Sequence, residues 1–209
     1  MTAIAHPSYD RTDAPFLVRM AIVLGVFETL MVVGFGLVTR MLDGTVEQSL
    51  VALLLVIGLA GVVILPGIWT RARSIEGIAG AAAIGLGATV TFLILDVALL
   101  QPLGLYTFRW RAIGGGTNWW YHPVWWILGT YLSWQGAFML ANQTTRRGEP
   151  SVAGVVILTT LLAGILGVLG VAVHFPGATW NVPTFGLAVI PALALGTLIT
   201  GLMPRRSGA

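Results

Sequence analysis

The sequence predicts an all-α integral membrane protein: a bundle of six transmembrane helices, N-in and C-in, with a long aromatic outer-side loop between helices 3 and 4. Three observations predict it. First, 56% of the residues are hydrophobic and only 9% are charged, whereas a soluble domain carries about 25% charged residues. Such a chain cannot cover a water-facing surface, so lipid is its solvent. Second, six apolar runs are each about 20 residues long, enough to cross a hydrocarbon core about 30 Å thick at about 1.5 Å per residue. Third, arginines fall unevenly on the two sides of those runs.

Residues 1–15 read as a polar cytoplasmic tail. They lack the apolar stretch of a cleavable signal peptide, so the first helix is expected to serve as the insertion signal. That helix covers 16–39 and carries Ala21, Gly25, Glu28, Val32 and Gly36 on one face. Asp43-Gly44 separates it from the second run, 48–69. Arg71-Ala72-Arg73 then precedes the third, 76–100, with Gly77, Gly80, Ile84, Gly87 and Thr91 on one face. Pro102 ends it. The fourth run, 122–142, presents His122, Trp126, Gly129, Ser133, Gly136 and, beyond it, Gln143. Arg146-Arg147-Gly148-Glu149-Pro150 leads to the fifth, 152–173, with Ala163, Gly167, Gly170 and His174 in register. Pro176-Gly177 leads to the sixth, 182–203. Pro191 at its centre removes one backbone hydrogen bond and predicts a kink with a freed carbonyl. Residues 16–203 therefore form one transmembrane domain, and 204–209 a cytoplasmic C-terminal tail. Small-residue faces are where membrane helices approach one another, since lipid gives them no hydrophobic drive to associate.

Eight of the eleven arginines (Arg11, Arg19, Arg71, Arg73, Arg146, Arg147, Arg205 and Arg206) fall on one side of the runs. Arg40, Arg109 and Arg111 fall on the other. The richer side is expected to be cytoplasmic, which makes the chain a multi-pass protein of the cell inner or plasma membrane. Residues 101–121 and 174–181 then lie outside.

The segment "GGGTNWWYHPVWW", 114–126, holds four of the eight tryptophans. A connection of about 20 residues is long for a compact fold, where about 4–6 is usual. One reading is an interfacial belt, with Trp and Tyr at headgroup depth. The other is a lid over 106–126, folded back on the bundle through its glycines, with Trp119 and Trp120 at least half buried. In that reading Arg109, Asn118, Trp119, Trp120, Tyr121, His122, Trp125, Trp126, His174 and Trp180 line an outer-side compartment for an apolar ligand.

Glu28 is the strongest single signal. A carboxylate at the bilayer centre is costly, and such residues are usually functional. It is expected to be a neutral acid that donates to ligand oxygens, or to Ser133 or Gln135. Asp96 lies about one turn from the outer end of the third helix, within reach of water or of Arg109 or Arg111. His122, His174 and Asp96 come from three separate segments without ligand spacing, so no metal is expected.

Several classes are excluded. The chain has no Lys, hence no retinal or pyridoxal Schiff base. It has no Cys, hence no disulfide and no Cys-ligated iron–sulfur cluster. No basic run exceeds two residues, which argues against nucleic acid. Three readings remain. One is a subunit of a larger energy-converting, respiratory or photosynthetic membrane complex that holds a lipid, quinone or pigment. Another is an intramembrane enzyme on an isoprenoid or lipid, using Glu28 or Asp96 as general acid in chemistry of the terpene-cyclase type. The last is a small transporter or its substrate-binding component.

Overall fold

The computed structural model describes residues 10–106 and 121–203. Every regular element among them is helical: α1 (Ala14–Met41), α2 (Gly44–Trp69), α3 (Ile75–Leu95), α4 (Tyr121–Arg147), α5 (Val152–Ala172) and α6 (Val182–Leu202). A π-helical turn, Asp96–Leu100, extends α3. Five of these are long and apolar enough to cross a membrane: α1, α2, α3 with its π-turn, α5 and α6. The chain is thus a multi-pass helical membrane protein. α4 has the length, at 27 residues, but not the apolarity. Its sequence spends positions on His122, Ser133, Gln135, Asn142 and Gln143, and the packing below explains why.

Local chemistry starts the helices where the breakers stand. Asp13 caps α1 by accepting from the Phe16 N–H at 3.2 Å. Ser151 caps α5 through Gly154 N–H at 3.0 Å, and Asn181 caps α6 through Thr184 N–H at 3.0 Å. α3 has a double cap. Ser74 Oγ accepts from Glu76 N–H, and Asp10 reaches back from the N-terminal segment. The Asp10 carboxylate accepts from the N–H groups of Arg73, Ser74 and Gly77 at 3.0–3.1 Å. It also accepts from the Ser74 hydroxyl. Arg11 N–H donates to Thr70 O at 2.9 Å. The described end of the expected tail is therefore docked on the bundle.

α1, α3, α4 and α2 form a ring of four, each packed on the next. α6 packs on the flank of α4, and α5 mainly on α6. Glycines set the ring. A Cβ at Gly25 would lie 2.5 Å from Ala88 O, and one at Gly87 would lie 2.8 Å from Ala21 Cβ, so α1 and α3 run parallel in near-backbone contact. Gly85 meets Ser133 and Gly129 meets Thr89 across the antiparallel α3–α4 pair. Gly136 lies against the carbonyl of Val63, and Gly67 against Ala137, across the parallel α4–α2 pair. Gly61 takes the Phe27 ring and closes the circle. Of the small-residue faces expected on the first and third helices, Ala21 and Gly25 meet Gly87 and Thr91 across the α1–α3 seam, while Gly36 meets Leu105 and Gly77 meets Asp10.

Several polar residues of α4 are its contacts with α2 and α6, and Gln143 accepts from Ser151 N–H at the start of α5. Ser133 donates to Val62 O at 3.0 Å. Gln135 accepts from the Thr197 hydroxyl at 2.6 Å, and Asn142 donates to Thr197 O and Thr200 Oγ1, both at 3.2 Å. Tyr131 donates to Ile190 O at 2.7 Å, beside Pro191. Arg146 donates to the carbonyls of Gly201 and Met203 and so closes the end of α6. One end of the bundle thus gathers the N-terminal segment, the start of α3 and the ends of α4 and α6; it is called the terminal end here, and the opposite one the distal end.

Candidate functional site

Glu28 lies midway along α1 on the face of Ala21, Gly25, Val32 and Gly36. Gly25, three residues earlier, touches Ala88 and Thr91 of α3, and Phe27 touches Gly61 of α2. Its direction is therefore inward, between α3 and α2. The side chain is half-buried, and no hydrogen bond to it is formed among the described residues. The two polar groups expected as partners are engaged elsewhere: Ser133 with Val62 O and Gln135 with Thr197. A carboxyl facing a helix seam without a partner carries an unmet desolvation cost.

Asp96 differs in every respect. It opens the π-helical turn and is 0% exposed. Of the two surroundings expected for it, water is excluded by this burial, and the other, Arg109 or Arg111, lies outside the described residues. Burial is supported by neutral donors: the Gln101 amide at 2.7 Å and the Tyr106 hydroxyl. The turn is also tied by Gln101 N–H to Asp96 O at 2.9 Å and Leu105 N–H to Leu100 O at 3.1 Å. Leu105 fills the notch at Gly36, and Arg40 donates to Gly104 O at 3.2 Å. A π-turn at the end of a helix, holding a buried carboxylate, is a common mark of a functional position.

The aromatic residues divide. Trp125 packs edge to face on Phe92, with ring centroids 5.8 Å apart. Trp126 is 43% exposed, so it points away from the ring of helices although it shares a helical row with Gly129 and Ser133. Trp180 belongs to the α5–α6 hairpin, where it pairs with Phe185 at 6.0 Å and is 70% exposed. His122 is half-buried in the first turn of α4. His174 does not continue the face of α5. It terminates the helix in a left-handed conformation, φ 55°, and is exposed. No three His, Cys, Asp or Glu side chains cluster among the described residues. Arg109, Asn118, Trp119 and Trp120 lie outside the described residues, as do the side chain of Tyr121 and most of the expected lid over 106–126.

The site residues that sequence reasoning missed are Gln101 and Tyr106. Their signal was present: they are polar groups five and ten positions after a membrane carboxylate, just where the chain leaves the helix. No family model, no curated protein and no solved structure matches this chain.

Proposed function

We propose that the chain is a membrane subunit that packs against partner subunits and holds one large apolar molecule, a lipid, quinone, isoprenoid or pigment. The polar end of that molecule accepts a hydrogen bond from Glu28. One observation carries the reading: Glu28 faces inward midway along its helix and has no hydrogen-bond partner among the described residues, while Asp10 and Asp96 are each held by several donors. A chain that satisfies its other inward-facing carboxylates so fully leaves this one for a group it does not itself supply. The distal end is its outer side, by the arginine bias. A reporter active only outside the cytoplasm is then active when fused after Gly116 and silent after Gly148.

The test is extraction. Purified in mild detergent, the wild-type protein carries one apolar species in near-stoichiometric amount, together with its partner subunits. Glu28→Leu loses the small molecule and keeps the fold. Equal content in both proteins overturns the reading.

A second reading, an intramembrane enzyme, is favoured by the nearness of two carboxyls. Glu28 and Asp96 stand on adjacent parallel helices, about a turn apart. A general acid at Glu28 predicts that Glu28→Gln abolishes turnover of an isoprenoid or lipid while ligand content is kept. A holding role predicts that the amide, still a donor, is tolerated.

A further inference from the structure

Register across α3 and α4 brings Asp96 level with His122. Three contacts set the offset of these antiparallel helices: Gly85 with Ser133, Thr89 with Gly129, and the ring of Phe92 with that of Trp125. One more turn along both, in the same step, leads to Asp96 on α3 and His122 on α4. The α1–α3 seam gives a second register. Ala21 meets Gly87, and Gly25 meets Ala88 and Thr91. Continued along the parallel pair, it sets Glu28 beside residues 91–94, about 3–8 Å below Asp96 along the axis at about 1.5 Å per residue.

Toward the terminal end the ladder of titratable groups stops. Residues 20–27 of α1, 48–69 of α2 and 77–95 of α3 contain no titratable side chain. Residues 123–145 of α4 contain only Tyr131, whose hydroxyl is given to Ile190 O on α6. Among the described residues, titratable side chains therefore lead to Glu28 from the distal side and not from the terminal side. On that side stand a half-buried imidazole, a fully enclosed carboxylate and two neutral donors that hold it.

We propose that His122, Asp96 and Glu28 are three stations of a one-sided proton path from the distal end of the bundle to mid-membrane. A proton from distal water binds the imidazole of His122. It passes to a carboxylate oxygen of Asp96, leaving the imidazole neutral. It then passes to the Glu28 carboxylate, which ends as the neutral acid while Asp96 returns to carboxylate. A protonated Glu28 exchanges by returning its proton to Asp96, His122 and distal water along the same stations in reverse. Gln101 and Tyr106 are positioning residues that fix the Asp96 carboxylate. The path rests on the reading above for its purpose, since it supplies the acid that meets the ligand, but its own test needs no ligand.

The test follows hydrogen–deuterium exchange of the Glu28 acid by infrared spectroscopy. The full chain, purified in detergent, is moved from water to heavy water. The carbonyl stretch of a protonated carboxyl is assigned to Glu28 by its disappearance in Glu28→Gln. His122→Phe and Asp96→Asn are each expected to slow the deuteration shift of that band by about a hundredfold, with helix content unchanged. Asp96→Asn also weakens the clasp on Gln101 and Tyr106. Position 122 is half-buried, so His122→Phe and the more conservative His122→Gln decide the matter if Asp96→Asn does not fold. Exchange at the wild-type rate in the folded position-122 variants overturns the path, as does the absence of any band that depends on Glu28. Apolar-molecule content in the same preparations keeps the two ideas apart. A wild-type exchange rate with the molecule retained sinks the path alone; loss of any difference in content between wild type and Glu28→Leu sinks the ligand reading alone.

Discussion

From Gly61 to Gly67, α2 is buried at Gly61, Val62, Val63, Ile64, Pro66 and Gly67; from Gly44 to Ala60, none of its residues is. α4 repeats the contrast in the opposite order. His122 to Leu128 contains no buried residue, whereas Gly129, Ser133, Gly136, Ala137, Met139 and Leu140 are all buried. α1 is buried at Ala21, Leu24 and Gly25, then only at Gly36. α1, α2 and α4 are thus packed closely in the terminal half of the ring and loosely in its distal half, with Glu28 at the boundary, whereas α3 stays buried into the distal half at Phe92, Leu93, Asp96 and Leu100. The difference comes from where the glycines bring backbones together. Gly136 and Gly67 meet backbone atoms of a neighbouring helix. Gly34 and Gly58, in the distal half, face only the side chains of Leu54 and Met31 at 3.4 Å or more. Close backbone approach leaves no room for a guest, whereas side-chain contacts can yield to one. The half that yields is also the half that holds Glu28, Asp96 and His122.

The same substitution in the two halves is the severest test of this contrast. Gly136→Ala sets a Cβ against the Val63 carbonyl. It is expected to cost more than about 3 kcal/mol and to abolish a monodisperse peak in size-exclusion chromatography. Gly34→Ala meets only the flexible end of Leu54 and is expected to stay within about 1 kcal/mol of wild type. Equal damage at both positions would erase the distinction.

Next in size is the clasp that seals the terminal end. Asp10→Ala removes the acceptor of three backbone N–H groups and is expected to cost about 1–3 kcal/mol, read as a lower thermal midpoint. Asp13→Ala, at an exposed cap with one bond, should cost about 1 kcal/mol or less. If Asp13 matters more than Asp10, the N-terminal segment is not what closes that end.

Glu28→Leu sharpens the comparison from the other side. In protein stripped of bound small molecules, replacing an unpartnered acid by an apolar residue should raise stability by about 1 kcal/mol. A clear loss of stability would mean that Glu28 has a protein partner after all, and the distal half would then need no guest. Smallest is Tyr131→Phe, which deletes one hydrogen bond to Ile190 O and should cost about 0.5–1.5 kcal/mol. That loss should loosen α6 from α4, seen as faster amide exchange around Pro191, with no change at the distal end.

Much of the bundle was legible in the residues. The apolar runs and their breakers fall close to the observed helix bounds, because lipid forces each span to satisfy its own backbone and so leaves a long local signature. Of the row Gly77, Gly80, Ile84, Gly87 and Thr91, which helical periodicity puts on one line, the members Gly80, Gly87 and Thr91 meet α1, while Gly77 meets Asp10. The α4 row failed at Trp126, which turns outward while Trp125 takes the place beside Phe92. Periodicity fixes which residues share a row, not which of two adjacent rows meets a neighbour. His174 was read as a continuing face, but the helix ends there, and a left-handed residue leaves the row.

By itself, then, the sequence determined the apolar character of the chain, the helices and which small residues share a row, because each depends on residues close together in the chain. Tertiary structure alone decided that Asp10 caps α3 from more than sixty positions away and that α4 spends its polar residues on α6. It also decided that Asp96 is held by Gln101 and Tyr106, and that Glu28 has no hydrogen-bond partner among the described residues. Those outcomes depend on which helices become neighbours and in what register. Register is set where backbones touch across the ring, at pairs such as Gly25 with Ala88 and Gly136 with Val63, and no local pattern records it.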